Sequence, residues 1–240
     1  MSSFDHFQAP LDADMEKQRA ELATIIRRNT TDDGTYATAV GSLFMSKHCK
    51  SHEFAPVLAQ PALCIMAQGR KEVRLADEYF NYDPLNYLVV SVSMPLSGRV
   101  VNVTSQEPIL AVRLDIDPAE ITALIADAGP LGVPTRPTGR GLYVERIDTA
   151  MLDAVLRLAR LLDTPKDIAM LAPLIRREIL YRLLRSQQGH RLYEIAIANS
   201  QSHRISQAIK WLNVNYDQPL RIDDLAKEVN LSVSTLHHRF

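Results

Sequence analysis

The sequence predicts an α+β protein, in which an antiparallel β-barrel or jelly roll with flanking helices is followed by an all-α segment. Three observations carry this expectation. Between Thr35 and about Arg113, short runs of β-branched and aromatic residues replace helical periodicity. Turn signals separate these runs and leave no room for the crossover helices that a parallel sheet needs. On either side of the segment, apolar residues recur at helical spacing.

The first element is a helix, because Leu11, Met15, Leu22, Ile25 and Ile26 recur among charged residues. Arg27 and Arg28 close it, where positive side chains complement the negative end of the helix dipole. Strands are predicted over 36–44, 62–66, 87–92, 99–103 and 109–114, with turns at Gln68-Gly69-Arg70, Tyr82-Asp83-Pro84 and Ser97-Gly98. Asp117-Pro118 opens a helix that runs to Ile125. Pro130, Pro134 and Pro137 then mark an irregular connector.

Two strong helical stripes follow. Leu152, Val155, Leu156, Ala159 and Leu162 form the first, and Leu171, Leu174, Ile175, Ile179, Leu183 and Leu184 populate the second, with Thr164-Pro165 between them. Both stripes can cover the barrel, and part of the second can equally serve as a dimer seam. The polar run Ser186-Gln187-Gln188-Gly189-His190 breaks the pattern, which divides the chain into residues 1–190 and 191–240.

In the second part, Ile205, Ala208, Ile209 and Leu212 share one helical face, and Asp217-Gln218-Pro219 stops that helix. Ile222, Leu225, Ala226 and Val229 face inward on a short second helix. Ser232 caps a third, whose inward residues are Val233, Leu236 and Phe240. Two short helices joined by a tight turn are the parts of a helix-turn-helix. At about 100° per residue, Ser234, His237 and His238 fall on the outward face as base-facing residues, and Arg239 lies to the side, suited to phosphate. A three-helix cap with a polar outer face satisfies the same spacing.

Composition excludes several function classes. The 240 residues carry 27 Lys plus Arg against 28 Asp plus Glu, so nucleic-acid binding must come from a local surface. The longest near-apolar run, 88–96, is broken by Ser91 and Ser93 and falls short of the ~20 residues that span a bilayer. Asp5, Asp12, Asp14 and Glu16 occupy the region where a secretory signal is basic and then apolar, so the expected compartment is the cytoplasm, without membrane association. Cys49 and Cys64 are too few for a disulfide framework.

Chemistry is sparse. His48, His52 and Glu53 are metal-ligand types, but histidines four apart suit a helix, and 46–54 shows no helical stripe. Cys49, flanked by Lys47, His48 and Lys50, has neighbours that would lower a thiol pKa and make it a redox or electrophile sensor if exposed; the alternative is a passive thiol. No Walker-type phosphate loop, nucleophile elbow or paired catalytic carboxylates occur, so neither an enzyme, a cofactor nor a metal is expected.

Two sets of residues carry a resemblance to a known family. Pro219-Leu220-Arg221-Ile222-Asp223-Asp224-Leu225-Ala226, Asn230-Leu231-Ser232 and Ser234-Thr235-Leu236-His237-His238-Arg239-Phe240 resemble the first helix-turn-helix of the arabinose-regulator (AraC) family of bacterial transcription factors. Gln68-Gly69-Arg70-Lys71, Tyr82-Asp83-Pro84, Leu88-Val89-Val90-Ser91 and the run from Arg176 to Leu184 resemble the same family's amino-terminal effector domain. The resemblance implies a cupin-like jelly roll that senses a small-molecule effector, a helical pair that makes a homodimer, and a carboxy-terminal module that binds promoter DNA. Family members carry two helix-turn-helix units, whereas this sequence stops at Phe240 inside the third helix of the first. The chain as written is therefore expected to bind specific DNA weakly or not at all. A truncated sensor or interaction protein that dimerises without binding DNA is the alternative expectation.

Overall fold

The computed structural model describes residues 13–100, 103–128 and 141–193, together with Ile222 and Leu225. It opens with α1 (Ala13–Arg28), which buries Leu22, Ile25 and Ile26. Nine strands follow before the next helix: β1 (Gly34–Ala37), β2 (Leu43–His48), β3 (His52–Ala59), β4 (Ala62–Gln68), β5 (Lys71–Leu75), β6 (Glu78–Tyr82), β7 (Asn86–Val90), β8 (Met94–Val100) and β9 (Ile109–Asp115). After them come α2 (Pro118–Ala128), β10 (Leu142–Arg146), α3 (Thr149–Arg160) and α4 (Ile168–Arg185), with two short 3-10 turns joining the last two helices.

The strands form two antiparallel sheets, one in the order β1-β2-β9-β4-β7-β10 and the other β3-β8-β5-β6. Alternation along each strand sorts the side chains of the larger sheet onto two apolar faces. Met45, Leu63, Ile65, Val89, Leu110, Val112 and Tyr143 pack with residues of α1, α3 and α4. The residues between them in sequence, Met66, Leu88, Val90, Ile109 and Leu142, pack with Val73, Tyr82, Met94 and Val100 of the smaller sheet. Burial on both faces explains why β7 reads as an unbroken apolar run, Tyr87 to Val90.

The helices are fastened to one another by charge as well as by packing. Arg160 of α3 donates to both carboxylate oxygens of Glu21 on α1, at 2.7 and 2.8 Å. Arg157 of α3 reaches Glu178 of α4 at 2.7 Å, and Arg182 donates to the same carboxylate. Asp148 caps α3, accepting from the Met151 amide at 2.7 Å.

Several elements depart from the sequence expectation. Residues 36–44 form the end of β1, a turn through Ser42 at φ 66°, and the start of β2. Ser97-Gly98 lies inside β8, not at a turn; of the strand expected over 99–103, residues 101 and 102 lie outside the described residues and Val103 is not in a strand. Four strands were not anticipated. β3 contains Pro56 and is mostly exposed, β5 and β6 are short and mixed in polarity, and β10 follows the connector. Among the described residues the two sheets share no ladder, so the barrel is not seen to close. The turn at Gly69 is as expected: its φ is +85°, and a Cβ there would lie 2.8 Å from Ile109 Cγ1, so only glycine fits.

Candidate functional site

A cavity of about 110 Å³ lies between the two sheets. Cross-strand register assembles its wall. Thr35 pairs with Ser46, Ser46 with Ala111, and Ala111 with Met66, so one row of side chains crosses β1, β2, β9 and β4. The next inward row brings Arg113 beside Phe44 and Cys64, and His48 stands opposite Ile109. From the smaller sheet, Lys71 and Tyr82 face each other across β5 and β6.

The wall divides by polarity. Met66, Tyr82 and Ile109 are buried, whereas Ser46, His48, Lys71 and Arg113 are half-buried and Thr35 is exposed. The Thr35 and Ser46 hydroxyls stand 2.9 Å apart. Among the described residues no carboxylate lines the cavity. Arg113 already has a counter-ion in Asp115, Nε to Oδ1 2.8 Å, and its guanidinium lies 4.2 Å over the Phe44 ring. Burial holds the His48 imidazole below its ordinary value of 6.5, reinforced by the charges of Lys71 and His52 and opposed by Asp33. Burial pushes the Cys64 thiol up to about 11 and raises the Tyr82 phenol well above its usual range, so both are neutral at physiological pH.

A second feature lies where α4 ends. Glu145 of β10 accepts from the amides of Gln187 and Gln188, at 3.0 and 3.3 Å. Arg191 donates to the Leu142 carbonyl at 3.0 Å and its guanidinium lies 5.4 Å over the Tyr143 ring. The chain leaving α4 is therefore clamped to β10, whose Leu142 side chain belongs to the core between the sheets.

The residues singled out in the sequence fare differently. Ser234, His237, His238 and Arg239 lie outside the described residues. Of their segment, Ile222 and Leu225 are described. Both are helical, Leu225 buried and Ile222 39% exposed. His48 ends β2 and His52 opens β3, strands of different sheets, with ring centroids 6.3 Å apart. Among the described residues no three His, Cys, Asp or Glu side chains are placed to hold a metal. Of the two readings of Cys49, a lowered thiol pKa and a passive thiol, the first is corrected: the Asp33 carboxylate, which accepts the Cys49 amide at 2.9 Å, raises that thiol. The cavity residues were missed, since alternation within a strand shows a face but not which strands share it.

Comparison with known proteins places this architecture. The sequence profile of the AraC-type transcriptional regulator N-terminus matches residues 39–191, well over half of the chain. The chain belongs to the AraC-type family of transcriptional regulators. No match was found among curated proteins. Solved structures similar to this AraC-type chain include apo ToxT from Vibrio cholerae with a lysine-to-alanine substitution, at 10% identity, TM-score 0.45, covering 87% of this chain and 76% of that one. The AraC-like transcriptional activator CuxR is 10% identical with TM-score 0.38, covering 92% and 84%. ToxT with an unsaturated fatty acid bound is 11% identical with TM-score 0.37, covering 86% and 91%. Among the described residues, no helix of the AraC-type chain is long and apolar enough to cross a membrane.

Proposed function

We propose that this chain is a ligand-responsive transcription regulator and not an enzyme. In this reading a cupin-like domain over residues 1–190 holds a small-molecule effector between its sheets, and residues 191–240 contribute helix-turn-helix elements that bind promoter DNA. Ser234, His237 and His238 read bases, and Arg239 holds phosphate. The observation that carries the reading is the cavity between the sheets of an AraC-type domain, with a polar rim and an apolar floor. The clamp between β10 and residues 187–191 supports it, because it ties a strand of the inter-sheet core to the chain that leads toward the DNA-binding segment.

Dimerisation belongs to the same reading. Met170, Leu171 and Leu174 of α4 are 75%, 43% and 63% exposed and share a stripe, which suits a seam between two copies.

The test is chromatin recovery with the tagged chain in its own organism, followed by footprinting on the recovered promoter. Protection of a discrete site, lost in His238→Ala without loss of non-specific binding, is the expected outcome. Recovery of no promoter by a chain that sediments as a dimer would transfer the function to a sensor that acts through partner proteins.

A further inference from the structure

Resting on the effector reading above, we propose that the ligand of the inter-sheet cavity is a small monocarboxylate, its carboxylate paired with the Lys71 ammonium and its apolar body against Met66, Tyr82 and Ile109. Charge accounting comes first. Among the described residues the lining holds two permanent cations, Lys71 and Arg113, and no acid. Arg113 is matched by Asp115. Among the described residues, the Lys71 ammonium makes no hydrogen bond or ion pair. The site is thus short of one negative charge, and a half-buried ammonium without a counter-ion is costly.

Lys71 is held at the cavity by its strand. It alternates with Arg74 and Glu72 on the outward side and lies on the same face as Val73 and Leu75, which pack into the core between the sheets. On the neighbouring strand, Gly98 leaves room for it: a Cβ there would stand 3.1 Å from Lys71 Cε and 3.7 Å from Nζ. The Thr35 and Ser46 hydroxyls supply donors for a second carboxylate oxygen.

Charge and volume narrow the class further. A phosphate dianion would bring a second negative charge with no second unmatched cation, and the imidazole that might supply one, His48, sits beside Lys71 and resists protonation. A cavity of about 110 Å³ is smaller than the ~150 Å³ engineered cavity that holds benzene. The body that fits is one ring or a short chain, not a nucleotide.

The test titrates acetate, butyrate, hexanoate and benzoate into the full chain by calorimetry, against ethanol, butanol, hexanol and benzyl alcohol. At least one acid is expected to bind about tenfold tighter than its matching alcohol, the scale of a charge-assisted hydrogen bond. Lys71→Met keeps the apolar stem and is expected to erase that preference while alcohol binding and the thermal midpoint persist; Lys71→Arg is expected to retain it. Ala111→Phe, which fills the cavity, removes both acid and alcohol. Equal binding of acid and alcohol, both lost in Ala111→Phe, overturns the carboxylate and leaves the effector cavity standing. Acid binding that survives Ala111→Phe in a folded chain overturns both. Failure of every probe overturns the carboxylate alone, since the promoter assay tests the regulator independently.

Discussion

His48 shows how one side chain reports on the charge around it. In the folded chain its imidazole is half-buried and meets the charges of Lys71 from β5 and His52 from β3, only partly offset by Asp33 ahead of β1. Its pKa therefore lies below 6.5 when folded and near that value when unfolded. The unfolded chain takes up the proton first, so this group's contribution to stability is complete above 6.5 and is lost as pH falls below it. His48→Gln is expected to reduce the fall in thermal midpoint between pH 7.5 and 5.5, by a difference measurable in parallel melts. An identical fall in both chains would remove His48 as a source. The same neighbourhood explains why residue chemistry misleads when read along the chain: Lys47 and Lys50 flank Cys49 in sequence, yet Asp33, sixteen residues away, decides the thiol.

At the scale of elements, helices were legible and four of the ten described strands were not. α1, α3 and α4 each bury one side, so spacing alone revealed them, and α3 buries seven of its twelve residues in that way. β7 was legible because both of its faces are buried. β3 was not, since Pro56 sits within it and the strand is an edge with exposed Val57 and Leu58. β5 alternates Glu72 and Arg74 with Val73 and Leu75, a true strand pattern too short to stand out. The cavity is gathered from six strands by pairings such as Lys71 with Tyr82 and Cys64 with Arg113, and no single run of residues encodes those registers. Element boundaries, by contrast, carry local chemistry. Asp148→Ala removes the bond to the Met151 amide and is expected to cost about 1 kcal/mol in urea unfolding, with Asp148→Asn close to the parent. Equal stability of all three would show that the cap is dispensable.

For the molecule as a whole, the exposed stripe of α4 is the feature that a monomer leaves unexplained. Residues one turn apart on the same helix, Leu171 and Ile175, differ sharply, the first 43% exposed and the second 9%. The inward side of α4 serves the core under α3, and Met170, Leu171 and Leu174 remain for another surface. Leu174→Glu is expected to shift the chain from dimer to monomer in sedimentation velocity without altering its circular dichroism. A parent chain that is monomeric at tens of micromolar would refute the seam. The α4 stripe was visible in the sequence as a set of apolar positions. Which of them face the core required knowing where α3 lies.

The clamp between β10 and the chain beyond α4 has a thermodynamic corollary. Leu142 sits in the inter-sheet core while its carbonyl accepts from Arg191, so the packing between the sheets and the placement of Arg191 share one strand. Whatever free energy a bound molecule spends in steadying that strand, it must recover in full when the far side is already held. A regulator in which a bound molecule steadied β10 would be reciprocal: its grip on that molecule would itself be a readout of what the rest of the chain has hold of.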